Sequence, residues 1–407
     1  MRRSLLTVAV AAACVTDDDC SLNGLCDATV CACDAAWAGA SCSRLALLPA
    51  PHDGGYRALN TSSWGGTVVH FDGAWHMIVA ESLGGCGLNA YARNLRLAHA
   101  VSSSGAVAGP YVRAGDVTAP VANTAHAVRD PADGSLLLFA TGCGAAAAHG
   151  CPPVTECRAG ATDLGADMSP GGAACAVPTE CVDDDGTNVF RSASGDPAGP
   201  WELDTSPLLD TAAPRQLHAD GSIAYYCNPA PLLLENGTAL LMYRDYYPTQ
   251  TFPATNVVGL ARARRGWRGA FDFPLGVDGH VVANFTEDPH MWRDARGHFH
   301  ALFHALDRWG TADAGSTVGG HAYSRDGLAW AYSREYAYST TVAFDDGTST
   351  TFARRERPEA VVVDGSVVAL VTGVVDPDAQ QPAGSQRDRS WTLVQPVASR
   401  APSRGGS

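Results

Sequence analysis

The stretch TEDPHMWRDARGHFHALFHA (residues 286–305) has the pattern of a β-hairpin that begins with two acids. One alternating run ends at the turn Arg296-Gly297, and a second run follows it. A dipeptide of this kind between two such runs is a strong short-range hairpin signal. We therefore expect Glu287 and Asp288 to stand at the start of a strand.

Related hairpins occur elsewhere in the chain, at residues 65–82, 125–142, 227–247 and 356–373. Each of them turns at an Asp-Gly or Asn-Gly dipeptide. A second pair of runs follows most hairpins, at residues 98–111, 190–202, 261–272 and 321–333. The last repeat is shortened to residues 390–397. A four-strand unit that recurs five times indicates a propeller. We predict an all-β fold, a five-bladed β-propeller over residues 50–398. A sandwich or jelly roll is the alternative, but neither explains the repeat.

The first strand of each propeller blade lines the central channel, so all five strand starts meet at one mouth. Glu287 and Asp288 begin this strand in the fourth repeat. The corresponding positions in the other repeats are Trp64–Thr67, His126, Cys227 with Asn228, and Glu356 with Arg357. We expect these side chains to converge on one pocket, although they lie far apart in the sequence.

Several segments resemble the five-bladed propellers of the glycoside hydrolase family 43 clan, namely EDPHMWRDARGHFHALFH, NPAPLLLENGTALLMYRD, AGPW and AYSRDGLAW. The resemblance implies that Glu287, in TEDPHMW, is a general acid, because the family places a glutamate two residues before a proline. It also implies aspartates at the strand starts of other repeats. Thr67, His126 and Asn228 stand there instead, so two of the family's three carboxylates are not recognisable.

Glycoside hydrolysis needs two carboxyl groups, one that protonates the leaving oxygen and one that activates water or attacks. We expect the catalytic residues to be Glu287, Asp288 and Glu356, with the pKa of Glu287 raised by Asp288. Asp245 is an alternative partner for Glu287. The candidate residues for substrate binding are Trp64, His126, Asn228, Asp245, His290, Trp292, His321 and Arg357.

Structural roles compete with some of these assignments. Glu356 could form a salt bridge with Arg355 or Arg357 rather than act in catalysis. Both arginines could instead hold sugar hydroxyls by paired hydrogen bonds. His300 and His304 alternate on one predicted strand, which favours a place in the core or on the strand face over a role as ligands.

Two short segments precede the repeats. Arg2, Arg3 and an apolar run predict a signal peptide over residues 1–13, and a lipoprotein signal acylated at Cys14 is the rival interpretation. Residues 14–42 contain six cysteines and are too short to fold without crosslinks. The spacing alone leaves the pairing of these cysteines open.

The end of this segment, CACDAAWAGASC (residues 31–42), is similar to the closing signature of epidermal-growth-factor-like (EGF-like) domains. The resemblance implies the disulfides Cys14–Cys26, Cys20–Cys31 and Cys33–Cys42. We therefore expect a small disulfide-rich EGF-like domain at residues 14–42, which acts either as a spacer or cap on the propeller or as a contact for other proteins.

The formal net charge is −14 and no basic cluster occurs, which argues against nucleic acid and anionic membranes as partners. After the first 13 residues, no run of about 18 apolar residues predicts a membrane span. Thirteen cysteines in an exported chain imply disulfides. Three sequons fit an exported glycoprotein, at Asn60, Asn236 and Asn284.

A cysteine-rich insertion, residues 143–181, interrupts the second repeat. Seven cysteines lie outside the first module: Cys86, Cys143, Cys151, Cys157, Cys175, Cys181 and Cys227. Since seven is odd, one of them stays unpaired or pairs between chains. None has zinc-ligand spacing, so we predict no metal and no cofactor. Residues 399–407 are predicted to be a disordered tail.

The sequence thus predicts a secreted, extracellular, carbohydrate-active protein. The first hypothesis is a glycosidase-like propeller that acts on a plant or algal polysaccharide or oligosaccharide. The alternative is a non-catalytic glycan-binding or adhesion protein, whose EGF-like module contacts an extracellular protein or the matrix.

Overall fold

The computed structural model describes residues 14–58, 61–83, 86–88, 94–144, 186–204, 226–246, 256–276, 279–282, 286–305, 319–333, 335–377 and 390–399. The signal peptide, the sequons at Asn60 and Asn284, most of the insertion and nearly all of the tail lie outside these residues. Asn236 lies within them, at an exposed turn. Within the described residues, no helix is long and apolar enough to span a membrane.

The N-terminal module is a small disulfide-rich unit. It contains a 3-10 helix (Asp17–Cys20) and four short strands, β1 (Gly24–Asp27), β2 (Val30–Cys33), β3 (Trp37–Ala38) and β4 (Arg44–Leu45). Its disulfides are Cys14–Cys26, Cys20–Cys31 and Cys33–Cys42. This is the pairing that the EGF-like resemblance implies.

The remaining strands form the predicted five-bladed propeller, which the structure confirms. Blade one comprises β5 (Ser63–Phe71), β6 (Ala74–Glu81), β7 (Arg96–Ser102) and β8 (Tyr111–Asp116). Blade two comprises β9 (Asn123–Arg129), β10 (Leu136–Thr141), β11 (Thr187–Ser192) and β12 (Glu202–Asp204). Blade three comprises β13 (Cys227–Leu233), β14 (Ala239–Tyr246), β15 (Asn256–Ala263) and β16 (Phe271–Asp272). Blade four comprises β17 (Thr286–Arg293), β18 (Phe299–Ala305), β19 (Gly319–Ser324) and β20 (Trp330–Tyr332).

Blade five closes the ring with a segment from the beginning of the chain. A hairpin, β21 (Thr341–Ala343) and β22 (Ser349–Thr351), precedes its three strands, β23 (Arg354–Val363), β24 (Ser366–Val375) and β25 (Ser390–Pro396). The open edge of β25 is covered by residues 47–56, through the antiparallel bridges Leu47–Val397 and Tyr56–Thr392. The shortened last repeat is therefore completed by a segment that precedes blade one.

The core lies between neighbouring blades. Ile78 and Leu97 of blade one, for example, pack with Leu138 and Phe190 of blade two. This sandwiching buries both faces of each sheet, which explains why the central strands are almost continuously apolar. The N-terminal module joins this core, because Trp37 packs in the cluster shared by blades four and five.

The structure describes three of the seven later cysteines. Cys86 and Cys143 are disulfide-bonded. Cys227 is a buried thiol, and its Sγ lies 3.6 Å from the Arg244 carbonyl oxygen. The other four lie outside the described residues.

Candidate functional site

Each of the five inner strands contains a β-bulge near its start. The pairing register shifts at this point in β5, β9, β13, β17 and β23. At each bulge one residue has a left-handed φ of 48° to 65°, namely Gly65, Thr124, Asn228, Asp288 and Arg357. A bulge leaves one residue unpaired, which suits the prolines that follow three of these residues, because proline has no N–H to donate.

These five bulge residues line one shallow depression of about 20 Å³, together with Trp64, His126 and Glu359. Such a volume holds about one water molecule. Residues other than glycine rarely adopt positive φ, and such strain collects at functional sites. We call this set of five residues the bulge ring. The depression brings together the predicted residues Trp64, His126, Asn228, Asp288 and Arg357.

The three predicted catalytic carboxyl groups lie in one cluster with a histidine. One ligand atom each from Glu287, Asp288, Glu356 and His304 lies within 4.8 Å of the others. We call these four residues the acid cluster. Positive charge from Arg244, Arg354 and Arg357 surrounds it, so the arrangement needs no metal ion to offset the carboxylates.

Glu287 is held by basic partners. Its Oε1 lies 3.3 Å from Nδ1 of His304 and its Oε2 lies 3.7 Å from Nε of Arg244. Burial raises the pKa of Glu287, but the hydrogen bond with His304 and the charge of Arg244 outweigh burial and lower it below the usual range. This direction is opposite to the sequence-based expectation, which considered only the neighbouring Asp288.

Asp288 has the opposite electrostatic environment. Its Oδ1 accepts a hydrogen bond of 2.6 Å from Nδ2 of Asn228, and Nη2 of Arg357 lies 3.9 Å away. Burial raises the pKa of Asp288 and, together with the charge of Glu287, outweighs the opposing charge of Arg357. The cluster therefore contains one carboxyl group that favours its proton beside one that favours ionisation.

Glu356 is tied to an arginine that the sequence did not single out. Both of its carboxylate oxygens accept hydrogen bonds from Arg354, at 2.7 Å from Nε and 2.8 Å from Nη2. The guanidinium of Arg354 also lies 5.0 Å from the ring of Trp64. The sequence analysis offered a salt bridge of Glu356 as an alternative to catalysis. Such a salt bridge is present, but its partner is Arg354 rather than Arg355 or Arg357.

His304 belongs to the acid cluster, although the sequence placed it in the core or on the strand face. It lies directly opposite Glu287 in the pairing of β17 with β18. Burial lowers its pKa, but Glu356 and Glu287 outweigh burial and raise it. Counting from the hairpin turn at Gly297 would place His304 opposite Asp288, and the bulge in β17 shifts the pairing by one residue to Glu287.

A second polar group lies beside the bulge ring. Nδ1 of His126 is 2.9 Å from Oε2 of Glu359 and 3.4 Å from Nδ1 of His290. Burial lowers the pKa of His290 well below its usual range, so its ring is neutral. His126, His290 and Glu359 each place one nitrogen or oxygen atom within 4.8 Å of the others. Glu359 was not among the predicted residues.

Three residues that the sequence predicted to bind substrate lie away from the acid cluster: Trp292, His321 and Asp245. Trp292 and His321 pack against Trp37 of the N-terminal module, with ring centroids 6.4 and 4.7 Å away. Asp245 is buried in β14 and faces the opposite side of the strand from Arg244, since side chains alternate.

Arg355 is also directed away from the site. It is completely buried and donates hydrogen bonds to the Ser339 carbonyl and to Oε1 of Gln395, each within 2.9 Å. It is therefore a brace within blade five rather than a ligand for sugar hydroxyls.

Gly65 is the bulge residue whose lack of a side chain matters for its neighbour. Its φ is +65°, and a Cβ there would lie 3.1 Å from Cβ of Arg357 and 3.2 Å from its Cδ. Gly73, with φ of +79°, is a matched control, because a Cβ added there would meet nothing within 4 Å.

We expect Gly65→Ala to lower the free energy of unfolding by more than Gly73→Ala does. Both variants incur about 1–2 kcal/mol for an alanine in the left-handed region, but only Gly65→Ala also displaces Arg357. Urea unfolding of the two variants measures the difference. Equal losses would mean that Arg357 does not depend on the absence of a side chain at residue 65.

No family model and no curated protein matches the chain. Among solved structures, an α-L-arabinofuranosidase from Podospora anserina in complex with cellotriose is similar at 9% identity and a TM-score of 0.50, over 86% of this chain and 94% of that one. The catalytic domain of a family GH62 α-L-arabinofuranosidase from Coprinopsis cinerea is similar at 10% identity and a TM-score of 0.49, over 83% and 90%.

A family GH43 β-1,3-galactosidase is similar at 11% identity and a TM-score of 0.47, over 86% of this chain. The chain spans only 59% of the length of that galactosidase. The match with a TM-score of 0.50, at 9% identity, shows a shared architecture and no more. The chain therefore has the five-bladed propeller fold that glycoside hydrolases use.

Proposed function

We propose that the protein binds a saccharide at the mouth of the channel, with one sugar hydroxyl entering the depression of the bulge ring, and hydrolyses a glycosidic bond with Asp288 as the proton donor. The observation that carries this proposal is the pair of neighbouring carboxyl groups with opposite pKa shifts, raised in Asp288 and lowered in Glu287. Environments that separate two pKa values in this way mark acid and base roles in active sites.

The chemistry follows from the two protonation states. A protonated Asp288 can donate its proton to the leaving glycosidic oxygen, and the ionised Glu287 can attack the sugar carbon or activate water. Carboxyl groups about 5–5.5 Å apart are typical of retaining enzymes, whereas inverting enzymes need about 6.5–9.5 Å. One carboxyl oxygen of Glu287 and one of Asp288 lie within 4.8 Å of each other, which leaves too little room for the intervening water of an inverting enzyme, so we propose retention of configuration.

Arg357 supports a polar ligand at this place. Its Nε is buried and has no hydrogen-bond partner among the described residues. A buried donor without an acceptor costs about 1–3 kcal/mol, and a sugar oxygen in the depression would remove that cost. Trp64, His126 and Asn228 line the same depression, so we propose that they contact the substrate as well.

Binding without hydrolysis is the second candidate function. Blade one contributes Gly65 to the bulge ring and thus no side chain, and Glu356 is occupied by Arg354. In this case the propeller would be a lectin, and the EGF-like module would contact an extracellular protein or the matrix.

We also propose that the protein is secreted after removal of residues 1–13. The mature chain would then consist of the EGF-like module (residues 14–42) and the propeller (residues 50–398). The three disulfides of the module support this, because disulfides persist in oxidising compartments.

The proposed function is tested by a screen of the purified protein on chromogenic glycosides and on plant and algal polysaccharides, with Glu287→Gln in parallel. Release of sugar by the wild type and its loss in the variant would support hydrolysis at the acid cluster. Equal release by both proteins would overturn it. Saturable glycan binding without any release would favour the second candidate.

A further inference from the structure

A second cavity lies between the N-terminal module and the propeller, at the end of β17 opposite to Glu287. It has a volume of about 220 Å³. One side is the module loop 34–37, and the other is formed by the turns 294–296 and 365–367 of blades four and five. Six residues of extended strand separate Glu287 from Arg293, or roughly 20 Å. We call this space the module cavity.

Two tryptophans form its apolar walls. Trp37 from the module and Trp292 from β17 both line the cavity. Their ring planes differ by only 10°, with centroids 6.4 Å apart. Aromatic walls with a few convergent polar groups are typical of small-molecule sites. The volume is below the roughly 300–1,000 Å³ of pockets for drug-sized ligands, which suits a single sugar ring.

A buried histidine presents an acceptor to this space. His300 is 1% exposed, lines the cavity, and its Nε2 has no hydrogen-bond partner among the described residues. Oδ2 of Asp294 lies 3.5 Å from that nitrogen, which is too long for a good hydrogen bond. These two polar atoms therefore lie side by side at the cavity, farther apart than in an ordinary hydrogen bond.

The surrounding hydrogen-bond network assigns the protons of His300. Ser333 donates to Oγ of Ser21. Nδ1 of His321, 2.8 Å from the Ser333 oxygen, must then be the donor in that contact, which leaves its Nε2 as an acceptor. That Nε2 lies 3.3 Å from Nδ1 of His300 and accepts its proton. Nε2 of His300 is consequently a bare acceptor, and burial lowers the pKa of this ring, which keeps it neutral.

The charge of the lining selects the kind of ligand. Asp34 and Asp294 both line the cavity, and Arg296 bridges them, with Nη2 2.6 Å from Asp34 and Nε 3.4 Å from Asp294. Two carboxylates against one guanidinium give an acidic lining that is rich in acceptors. Such a lining favours a donor of several hydroxyl hydrogen bonds and disfavours an anion.

We propose that the module cavity binds one neutral pyranose or furanose unit of a glycan and does not hydrolyse it. One hydroxyl of the sugar would bridge Nε2 of His300 and Oδ2 of Asp294, and the apolar face of the sugar would pack on the indoles. The site exists only because the module is docked, since Trp37 and Asp34 complete it. It gives the protein a glycan anchor separate from the acid cluster.

The test is titration of the intact protein with D-glucose, D-galactose, D-mannose, D-xylose and L-arabinose, followed by ligand-observed NMR and tryptophan fluorescence. The corresponding uronic acids test the exclusion of anions. Ala35→Phe fills the cavity from the module side, and Ala295→Phe fills it from an exposed position on the propeller, where a larger side chain is tolerated. Arg265→Ala is the control, because Arg265 is exposed in blade three and lines neither the module cavity nor the acid cluster.

We expect one or more neutral sugars to bind, with affinity reduced at least about tenfold in both filling variants and unchanged in Arg265→Ala. Hydrolysis, where present, should persist in the filling variants, so failure of this proposal is distinguishable from failure of the proposed function. Absence of binding by all five sugars, preference for uronic acids, or unchanged affinity in a folded filling variant would overturn the proposal.

Discussion

Replacing Asp288 with asparagine is expected to lower kcat/KM for a saccharide substrate by about 10²- to 10⁴-fold, the usual contribution of a general acid. The amide has nearly the same shape and can still contact Asn228, but it has no acidic proton to donate. Initial rates on the best substrate of the screen measure the effect. A rate equal to that of the wild type would remove Asp288 from the chemistry.

The pH profile gives an independent readout of the same assignment. A general acid must be protonated, so activity should fall as pH rises through the raised pKa of Asp288. A carboxylate partner must be ionised, so activity should fall at the acidic end, through the lowered pKa of Glu287. Glu287→Gln removes a negative charge that helps to raise the pKa of Asp288. The residual activity of that variant should therefore lose its alkaline limb at a lower pH than the wild type, and an upward shift would contradict the assignment.

An Arg355→Ala variant is expected to lose about 3–5 kcal/mol of its free energy of unfolding. The side chain is completely buried, and its removal leaves the Ser339 carbonyl, Gln395 and Thr372 without the donor they share. Each buried polar group without a partner costs about 1–3 kcal/mol, and the vacated space adds a cavity. Burial lowers the pKa of Arg355 to about 10, so the guanidinium is charged at neutral pH.

Urea unfolding followed by tryptophan fluorescence measures this loss. Arg265→Ala is the matched control, because Arg265 is exposed and such substitutions change stability by only about 0.5 kcal/mol or less. A loss in Arg355→Ala as small as in the control would show that the guanidinium is not a brace of blade five.

The propeller was predictable because its signals are local. Turn dipeptides such as Asn236-Gly237 and Asp364-Gly365 fix each hairpin, and the fivefold recurrence fixes the architecture. The convergence of Asp288, Asn228 and Arg357 followed from that architecture alone, since every inner strand starts at the same mouth. No long-range information was needed for either inference.

The partners within the site were harder to predict, because they depend on strand alternation and register. Glu356 pairs with Arg354, two residues away on the same face, while Arg355 between them points into blade five. His304 joins the acid cluster through the register across the β17–β18 turn. Neither the Glu356–Arg354 pair nor the Glu287–His304 pair joins residues that are adjacent in the sequence, so neither was evident from it.

The interpretation of Trp292 and His321 depended on a contact between domains that no local pattern reports. Both residues lie on blade four, but the docked module covers them, through the stacking of Trp37 and the contact of Asn23 with His321. For Trp292, its position along β17 was the signal in the sequence that it lies away from the site. Trp292 lies five residues after Glu287, or roughly 17 Å along an extended strand, too far to share the mouth of the channel.

The closure of blade five has a consequence for biosynthesis. Tyr56 must wait for Thr392, which leaves the ribosome roughly 340 residues later, before their strands can pair. The circle of blades therefore cannot close until β25 has been synthesised, and until then the chain must keep open sheet edges away from other molecules. A truncation that removes β25 would leave four complete blades and an open edge on β24, which favours aggregation.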